Sequence, residues 1–281
     1  MFVRLSTHLY QKPTRFLLEL IQNADDNTYE NAEPTLNISY SDRTLHLNCN
    51  EFGFGMKNVE AICKIGRSTK AGLGTTTRYI GEKRIGSKSV FRVCDGVWIS
   101  SGHYYFKFDK KKTFGMIAPI WEKLPDDEAP LPRYTSILLQ LADNCNREEL
   151  VAEIKSLDPR ILIFLRKLRL INVSSSRKGR RTWKSTLCRC DLPCQKVGEN
   201  SIELRHNSEP SSLKVTSFPV RGIPPDSKRP GCTESNILLA FLVTNSGEPL
   251  IASQKVYAFL PIRDYGFKAR SAPIQFLIDV I

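Results

Sequence analysis

The stretch Glu19-Leu20-Ile21-Gln22-Asn23-Ala24-Asp25-Asp26 combines an apolar periodicity with a row of polar side chains. Thr14 precedes it as a candidate helix start, and neither glycine nor proline occurs in residues 14–26. Glu19, Asn23 and Asp26 are offset by four and three residues, so on a helix they would share an arc of about 60°. The opposite face would be apolar, formed by Leu17, Leu20, Ile21 and Ala24. The helix alone leaves open whether the polar row faces a cavity or bulk water.

Downstream of this helix, the alternation of apolar and polar residues predicts a sheet. Residues 35–40 and 44–49 alternate around Ser41-Asp42-Arg43 and predict a β-hairpin. Residues 56–65 have helical spacing, and Gly66 follows them as a candidate C-cap. The remaining elements are predicted strands at 97–100, 104–108 and 136–141 and a predicted helix at 147–157. This order of elements predicts an α+β fold in which helices cover one face of a mixed sheet.

Two glycine-containing segments have the composition of a nucleotide site. Glu51-Phe52-Gly53-Phe54-Gly55-Met56 follows a predicted strand, where an acid can accept a hydrogen bond from an adenine amino group and glycines permit close backbone approach. Residues 79–89 read Tyr79-Ile80-Gly81-Glu82-Lys83-Arg84-Ile85-Gly86-Ser87-Lys88-Ser89, and their glycines, amides and lysine suit phosphate oxygens. This second segment departs from a P-loop by one inserted residue and lacks a preceding apolar strand, so the P-loop is the less favoured interpretation.

Taken together, these motifs resemble the GHKL superfamily, which comprises gyrase, heat-shock chaperones, histidine kinases and MutL. The first motif is residues 19–26. The likeness is strongest to the sacsin-like and NO VEIN-like branch, in which runs similar to residues 58–70 and Phe259-Leu260-Pro261-Ile262 occur. It covers residues 9–108 well and residues 159–267 more thinly. The resemblance implies a two-layer α/β sandwich of the Bergerat ATP-binding type, followed by a partial second α/β domain.

By this resemblance, the implied ligands are ATP and Mg²⁺. Glu19 would orient or deprotonate the attacking water, and Asn23 would hold the magnesium ion that bridges the phosphates. Residues 66–79 would form a lid. The implied nucleotide-binding residues are Asn23, Asp26, Glu51, Gly53, Gly55, Gly81, Gly86 and Lys88.

Three positions depart from the superfamily pattern. Glu51 replaces the usual adenine-binding aspartate, Arg84 replaces a glycine, and Ser87 replaces an aromatic residue. An arginine where close phosphate approach requires glycine costs on the order of 1 kcal/mol or more. The lysine that a following domain supplies to the terminal phosphate has no assignable counterpart. The resemblance therefore implies nucleotide binding more strongly than it implies rapid turnover.

Changes in composition divide the chain into three predicted regions. Residues 1–173 are predicted to form the ATP-binding domain, and residues 174–236 to form a connecting region that is basic and rich in Pro and Ser. Residues 237–281 are predicted to form an incomplete second domain.

The formal net charge of +12 attracts nucleotides, nucleic acids and anionic membranes without choosing among them. The densest basic run, residues 177–184, is interpreted as an exposed loop. The sequence contains no nucleic-acid-binding motif, so a nucleic acid is not the favoured partner. It also contains neither an apolar run long enough to span a bilayer nor a signal-peptide core, which predicts an intracellular protein, cytoplasmic or nuclear, that is not embedded in a membrane.

Eight cysteines are scattered along the chain, and reduced thiols are expected. The tightest group, Cys188, Cys190 and Cys194, has CxC and CxxxC spacing. Neither is the usual metal knuckle, and His206 lies too far along to complete one, so a structural zinc ion is not favoured.

The sequence therefore predicts magnesium-dependent ATP binding, with slow hydrolysis coupled to lid closure and a chaperone-like action on a protein client. The alternative is a degenerate, non-catalytic relative that acts as a scaffold or interaction module. The oligomeric state stays open.

Overall fold

The computed structural model describes most of the chain in two compact units. Unit 1 comprises residues 1–157 and 170–185, and unit 2 comprises residues 158–169 and 186–281. The described residues are 15–30, 32–63, 89–116, 118–126, 131, 133–177, 180–193, 199–222, 234–244, 246–248, 250, 255–258, 260–264 and 275–279.

The helices of unit 1 begin with α1 (Arg15–Asp26), the helix that the opening motif predicts. Its apolar face is buried, because Phe16, Leu17, Leu20, Ile21 and Ala24 are each at most 6% exposed. The helix α2 (Met56–Cys63) and the helix α3 (Arg147–Lys155) are also at their predicted places. Asn146 caps α3 by accepting a hydrogen bond from the backbone N–H of Glu149.

Six strands of unit 1 lie side by side in the order Leu170–Arg177, Thr35–Tyr40, Thr44–Cys49, Thr135–Leu141, Cys94–Ser101 and Tyr104–Asp109. The predicted hairpin is β1 (Thr35–Tyr40) and β2 (Thr44–Cys49), paired antiparallel from Tyr40 opposite Leu45 to Leu36 opposite Cys49. The other predicted strands are β3 (Cys94–Ser101), β4 (Tyr104–Asp109) and β5 (Thr135–Leu141), all antiparallel to their neighbours. A short 3₁₀ helix, Val90–Arg92, precedes β3.

The sixth strand, β6 (Leu170–Arg177), runs parallel to β1 and joins residues far apart in sequence. Asn172 Nδ2 donates to Asn37 Oδ1 at 2.9 Å across this pair, which spans 135 residues of chain. Ile171 and Val173 are buried. Since parallel strands require a crossover connection, this pairing is not visible in any local sequence pattern.

Unit 2 is built mostly from antiparallel strands. Strand β7 (Arg180–Leu192) begins within unit 1, and its residues 187–192 pair with β8 (Glu199–His206). β8 pairs with β9 (Glu209–Arg221), and β9 pairs with β10 (Glu234–Val243). The later strands are β11 (Lys255–Ala258), β12 (Leu260–Asp264) and β13 (Gln275–Asp279).

One short helix, α4 (Ile161–Phe164), is fully buried in unit 2. Arg189 on β7 donates through Nη1 to the backbone carbonyls of Leu162, Ile163 and Leu165 at 3.0 to 3.2 Å. The carbonyls at the end of a helix have no partner within the helix, so this guanidinium satisfies them.

The predicted fold class is wrong. The sequence predicts a two-layer α/β sandwich of the Bergerat type with a partial α/β second domain. The described residues of each unit instead form mainly the strands of a mixed sheet, with few helices. Strands of 13 residues run through residues 180–192 and 209–221, where the composition predicts a connecting region. The physical reason is that strand formation depends on cross-strand partners more than on local composition.

Candidate functional site

The polar row of α1 faces away from the buried side of the helix. Asn23 is exposed, and Glu19 and Asp26 are half-buried. Asn23 in the middle of the row is therefore accessible to a ligand, while the same helix is anchored by its apolar face. Asp25, next to the row, is buried at 2% exposure.

Glu19 is held in place by a residue far along the chain. Ser89 Oγ donates a hydrogen bond to Glu19 Oε2 at 2.8 Å, across 70 residues of sequence. Ser89 stands just before the 3₁₀ helix and is the last residue of the second glycine-containing segment. A hydrogen bond to a charged group fixes the direction of the carboxylate more firmly than a neutral bond would.

The end of α1 is tied to β2 through Tyr29. Its hydroxyl donates to the backbone carbonyl of Ala24 at 2.6 Å and lies 2.9 Å from Cys49 Sγ. Burial raises the pKa of Tyr29, and the charges of Cys49, Glu51 and Asp25 raise it further. Burial likewise raises the pKa of Cys49 to about 12. Both groups therefore stay neutral and act as structural links.

Glu51 is buried at 7% exposure directly after β2. Burial raises its pKa to about 7, and a hydrogen bond with the Thr135 side chain acts in the opposite direction. Oε1 has no hydrogen-bond partner among the described residues, so the bond to Thr135 engages Oε2. A buried oxygen without a hydrogen-bond partner destabilises the folded protein by about 1 to 3 kcal/mol. A ligand that donates a hydrogen bond to this oxygen would remove that cost.

The residues around Glu51 form a directed chain of hydrogen bonds. The Phe54 N–H donates to Ser101 Oγ at 2.8 Å, and Ser101 Oγ lies 2.5 Å from Thr135 Oγ1. Since Ser101 already accepts from Phe54, its own proton is available to Thr135, whose proton is then available to Glu51. The chain ends on the carboxyl group and leaves one of its oxygens open.

Gly53 shapes the loop that carries this chain. Its φ is +100°, a conformation that side-chain-bearing residues rarely adopt. A Cβ there would lie 3.6 Å from Gly102 N and Ser101 Oγ, an ordinary contact distance. Glycine is therefore required here by backbone conformation and not by lack of space. Gly55 is exposed, and its N–H donates to Asn58 Oδ1 at 2.9 Å at the start of α2.

The loop after β2 is also fixed to the segment that follows α1. Phe52 N donates to the carbonyl of Thr28 at 2.8 Å, and Asn50 Oδ1 accepts from the N–H of Thr35 at 2.7 Å. Together with Tyr29, these bonds connect the ends of α1 and β2. The first two predicted motifs are thus joined in one hydrogen-bonded region of unit 1.

Several predicted residues lie outside the described residues. These are Gly81, Gly86 and Lys88, the departures Arg84 and Ser87, and the predicted lid at 66–79. Their assignment to the phosphate end of a nucleotide stays a prediction, as do the roles given to Glu19, Asn23, Asp26, Glu51, Gly53 and Gly55.

Sequence reasoning missed the two hydroxyl residues behind Glu51. On β5, Thr135 falls on the same face of the strand as Ile137, Leu139 and Leu141. On β3, Ser101 falls on the same face as Val97 and Ile99. A hydroxyl at an apolar position of an alternating strand is the signal that was available. Tyr29 and Asp25 carried no comparable signal.

No three of the described His, Cys, Asp and Glu side chains group together in a way that could hold a metal ion. A magnesium ion at Asn23 would therefore rely on phosphate oxygens and water for most of its ligands, which is the usual situation for Mg²⁺ in nucleotide sites. Among the described helices, none is both long and apolar enough to cross a membrane.

Comparison with known proteins gives one informative relative. The chain is 32% identical over 286 residues to Protein NO VEIN of Arabidopsis thaliana, a match that covers 94% of this chain but 10% of NO VEIN. No family model matches the chain. The predicted resemblance to NO VEIN-like proteins is confirmed at that level, and the chain is similar to about one tenth of NO VEIN's length.

Proposed function

We propose that the chain binds ATP together with Mg²⁺ at the region where α1 meets the loop after β2, and that it hydrolyses ATP slowly. The observation that carries the proposal is the buried Glu51 carboxyl group, one oxygen of which has no hydrogen-bond partner among the described residues. Membership in the GHKL superfamily is part of the proposal and rests on the motifs. It does not rest on the overall architecture, which differs from the expected sandwich.

Glu51 supports recognition of an adenine base. Its Oε1 is buried and has no hydrogen-bond partner among the described residues, so a donor such as the exocyclic amino group of adenine would satisfy it. A guanine would present a carbonyl oxygen at the corresponding position, which repels a carboxylate. The chain of Phe54, Ser101 and Thr135 holds the carboxyl group in position before the ligand arrives.

The row on α1 supports the metal and the chemistry. Asn23 is exposed and offers a neutral oxygen, a ligand that suits Mg²⁺. Glu19 is oriented by Ser89, as a general base must be if it is to accept a proton from an attacking water. The neighbouring acids Asp25 and Asp26 would repel a bare triphosphate, so binding should require the divalent cation.

Calorimetry of the purified chain with ATP, with and without Mg²⁺, tests binding. We expect saturable binding that requires Mg²⁺, loss of binding in Asn23→Ala, and unchanged binding in Asn144→Ala, a matched substitution at an exposed asparagine on the surface. Glu51→Gln should weaken ATP binding by about 10-fold to 100-fold, since a buried bond to a charged group contributes about 1.5 to 3 kcal/mol. Absence of heat on ATP addition to the wild-type chain would reject the proposal.

Turnover is tested separately by phosphate release. Glu19→Ala should keep ATP binding and lose hydrolysis, whereas Glu148→Ala, at an exposed acid of α3, should keep both. Ser89→Ala should lower the hydrolysis rate by about tenfold with the dissociation constant unchanged, because it releases Glu19 without removing it. Hydrolysis that survives Glu19→Ala contradicts the assigned role.

Binding without turnover is the second candidate, and Arg84 favours it because it replaces a glycine of the superfamily pattern. If Arg84→Gly creates hydrolysis in a chain that binds ATP but does not hydrolyse it, the non-catalytic form is the natural state. The chain would then act as a nucleotide-dependent scaffold. A chaperone-like action on a protein client is the corresponding proposal for the hydrolysing form.

A further inference from the structure

Two cysteines of β7 present their thiols side by side. Cys188 and Cys190 are separated by one residue on an extended strand, so both side chains point to the same face. The two Sγ atoms are 3.8 Å apart. Both residues are half-buried.

The separation of the two sulfur atoms fits metal coordination. Metal–sulfur bonds in tetrahedral zinc sites are about 2.3 Å long, and two such bonds at the tetrahedral angle place their sulfur atoms about 3.8 Å apart. The observed distance therefore matches the sulfur–sulfur edge of a tetrahedral site. In the usual zinc knuckle, a turn brings the two sulfur atoms to this distance. Here the distance follows from the strand, in which alternate side chains point to the same face.

A disulfide bond fits the same pair less well. Alternate residues of a strand have Cα atoms about 6.6 to 6.8 Å apart, at the upper limit of the 4.4 to 6.8 Å range of disulfides. Closing the bond would bring the sulfur atoms to about 2 Å and bend β7. β7 is held in register with β8 from residue 187 to residue 192, which opposes that bend.

The adjacent strand supplies charge of both signs to this face. Arg205 is the register partner of Cys188, and Glu203 is the register partner of Cys190. A hydrogen bond from Arg205 Nε to Glu203 Oε1, 2.6 Å long, is the main cause of the raised pKa of Arg205, and the two thiols contribute to it.

We propose that Cys188 and Cys190 supply two thiolate ligands to a soft, thiophilic metal ion such as Zn²⁺ or Cd²⁺. Across the described part of the chain, no third His, Cys, Asp or Glu completes a protein-only cage. The two remaining positions are therefore open to water or to a small thiol. A site of this kind captures and exchanges metal more readily than a closed structural site does.

The test titrates the full chain, reduced and free of oxygen, with Cd²⁺. Binding is followed by the ultraviolet charge-transfer absorption of cadmium thiolates and by calorimetry. We expect one equivalent to bind, with release of protons and weakening as the pH falls, because the ligands must be deprotonated. Cys188→Ser and Cys190→Ser should each weaken binding at least about tenfold, and the double variant should lose the absorption.

Cys63→Ser is the matched control, since Cys63 is a half-buried thiol on α2 that belongs to no such pair in the described structure. It should leave Cd²⁺ binding unchanged. Thermal melts of all variants without metal establish that serine has not unfolded them. Wild type and Cys63→Ser should gain thermal stability from Cd²⁺, whereas the double variant should not. Equal Cd²⁺ affinity in wild type and in the two single variants, or an equal loss in Cys63→Ser, overturns the proposal.

Discussion

Glu51 is the residue at which burial and ionisation conflict most directly. Its carboxyl group is buried, and Thr135 contacts only one of its oxygens. The pKa rises from 4.5 to about 7, so the folded protein keeps a proton that the unfolded chain would release. The raised pKa therefore contributes to the free energy of unfolding. This contribution is fully present below about pH 4.5 and is lost as the pH rises through about 7.

Replacing Glu51 by glutamine should remove that pH dependence. A rise of the Glu51 pKa from 4.5 to about 7 corresponds to a change of roughly 3 kcal/mol in the free energy of unfolding between pH values below 4.5 and above 7. We therefore expect Glu51→Gln to be closer to wild type in stability at about pH 5 and to gain up to about 3 kcal/mol relative to wild type at about pH 8. Urea unfolding at both pH values measures the difference.

The control for this experiment is Glu33→Gln, at an exposed position close to the same strands. Its stability relative to wild type should vary by less than about 0.5 kcal/mol between the two pH values. The opposite result is that the free energies of unfolding of Glu51→Gln and wild type differ by the same amount at both pH values. That result would contradict the assigned cause, because only an effect that involves ionisation changes with pH.

At this scale, the sequence predicted the place of Glu51 but not its surroundings. The strand end before Gly53 and Gly55 was evident from alternation and glycine spacing. The partners Thr135 and Ser101 come from strands that approach only after the sheet has formed. The polarity of a buried pocket is a property of several strands, so a motif on one of them does not reveal it.

Among the elements, α1 shows how one helix serves both packing and chemistry. Leu17 is 2% exposed and its neighbour Leu18 is half-buried, although both are leucines in the same turn. The helix therefore offers a matched pair of substitutions that separates burial from helix propensity.

Leu17→Ala should destabilise the protein by about 2 to 5 kcal/mol, because it removes a buried side chain and leaves a cavity. Leu18→Ala changes the same helix propensity and should cost clearly less. Chemical unfolding of both variants measures the two free energies. Equal losses would mean that the buried face of α1 is assigned to the wrong side.

Elements with strong local periodicity were predictable, and those that depend on distant partners were not. The helix α1 and the hairpin of β1 and β2 follow from spacing within a dozen residues. Strand β6 pairs with β1, a partner 135 residues away, and the long strands β7 and β9 have polar, basic sequences. Their stability comes from the strands beside them, which local composition does not encode.

For the molecule as a whole, unit 1 is discontinuous along the chain. Residues 1–157 contain most of its sheet, but β6 returns from beyond residue 170 to cover the edge of β1. Removing β6 exposes the backbone groups of β1 and takes away the buried side chains of Ile171 and Val173.

A fragment of residues 1–157 should therefore lack a cooperative thermal transition and aggregate, whereas a fragment of residues 1–193 should keep one. Circular dichroism melts and light scattering compare the two. If residues 1–157 alone melt at the same temperature as the longer fragment, β6 contributes nothing to the stability of unit 1.

The parallel pair of β1 and β6 also has a consequence for biosynthesis. Ribosomes add about 5 to 20 residues per second, so the 135 residues between these strands represent roughly 7 to 27 seconds of translation. During that interval the edge of β1 in the nascent chain has no β6 to cover it. Holdase chaperones, or slow codons placed after residue 177, would therefore be expected to affect the yield of native protein more than they affect its final stability.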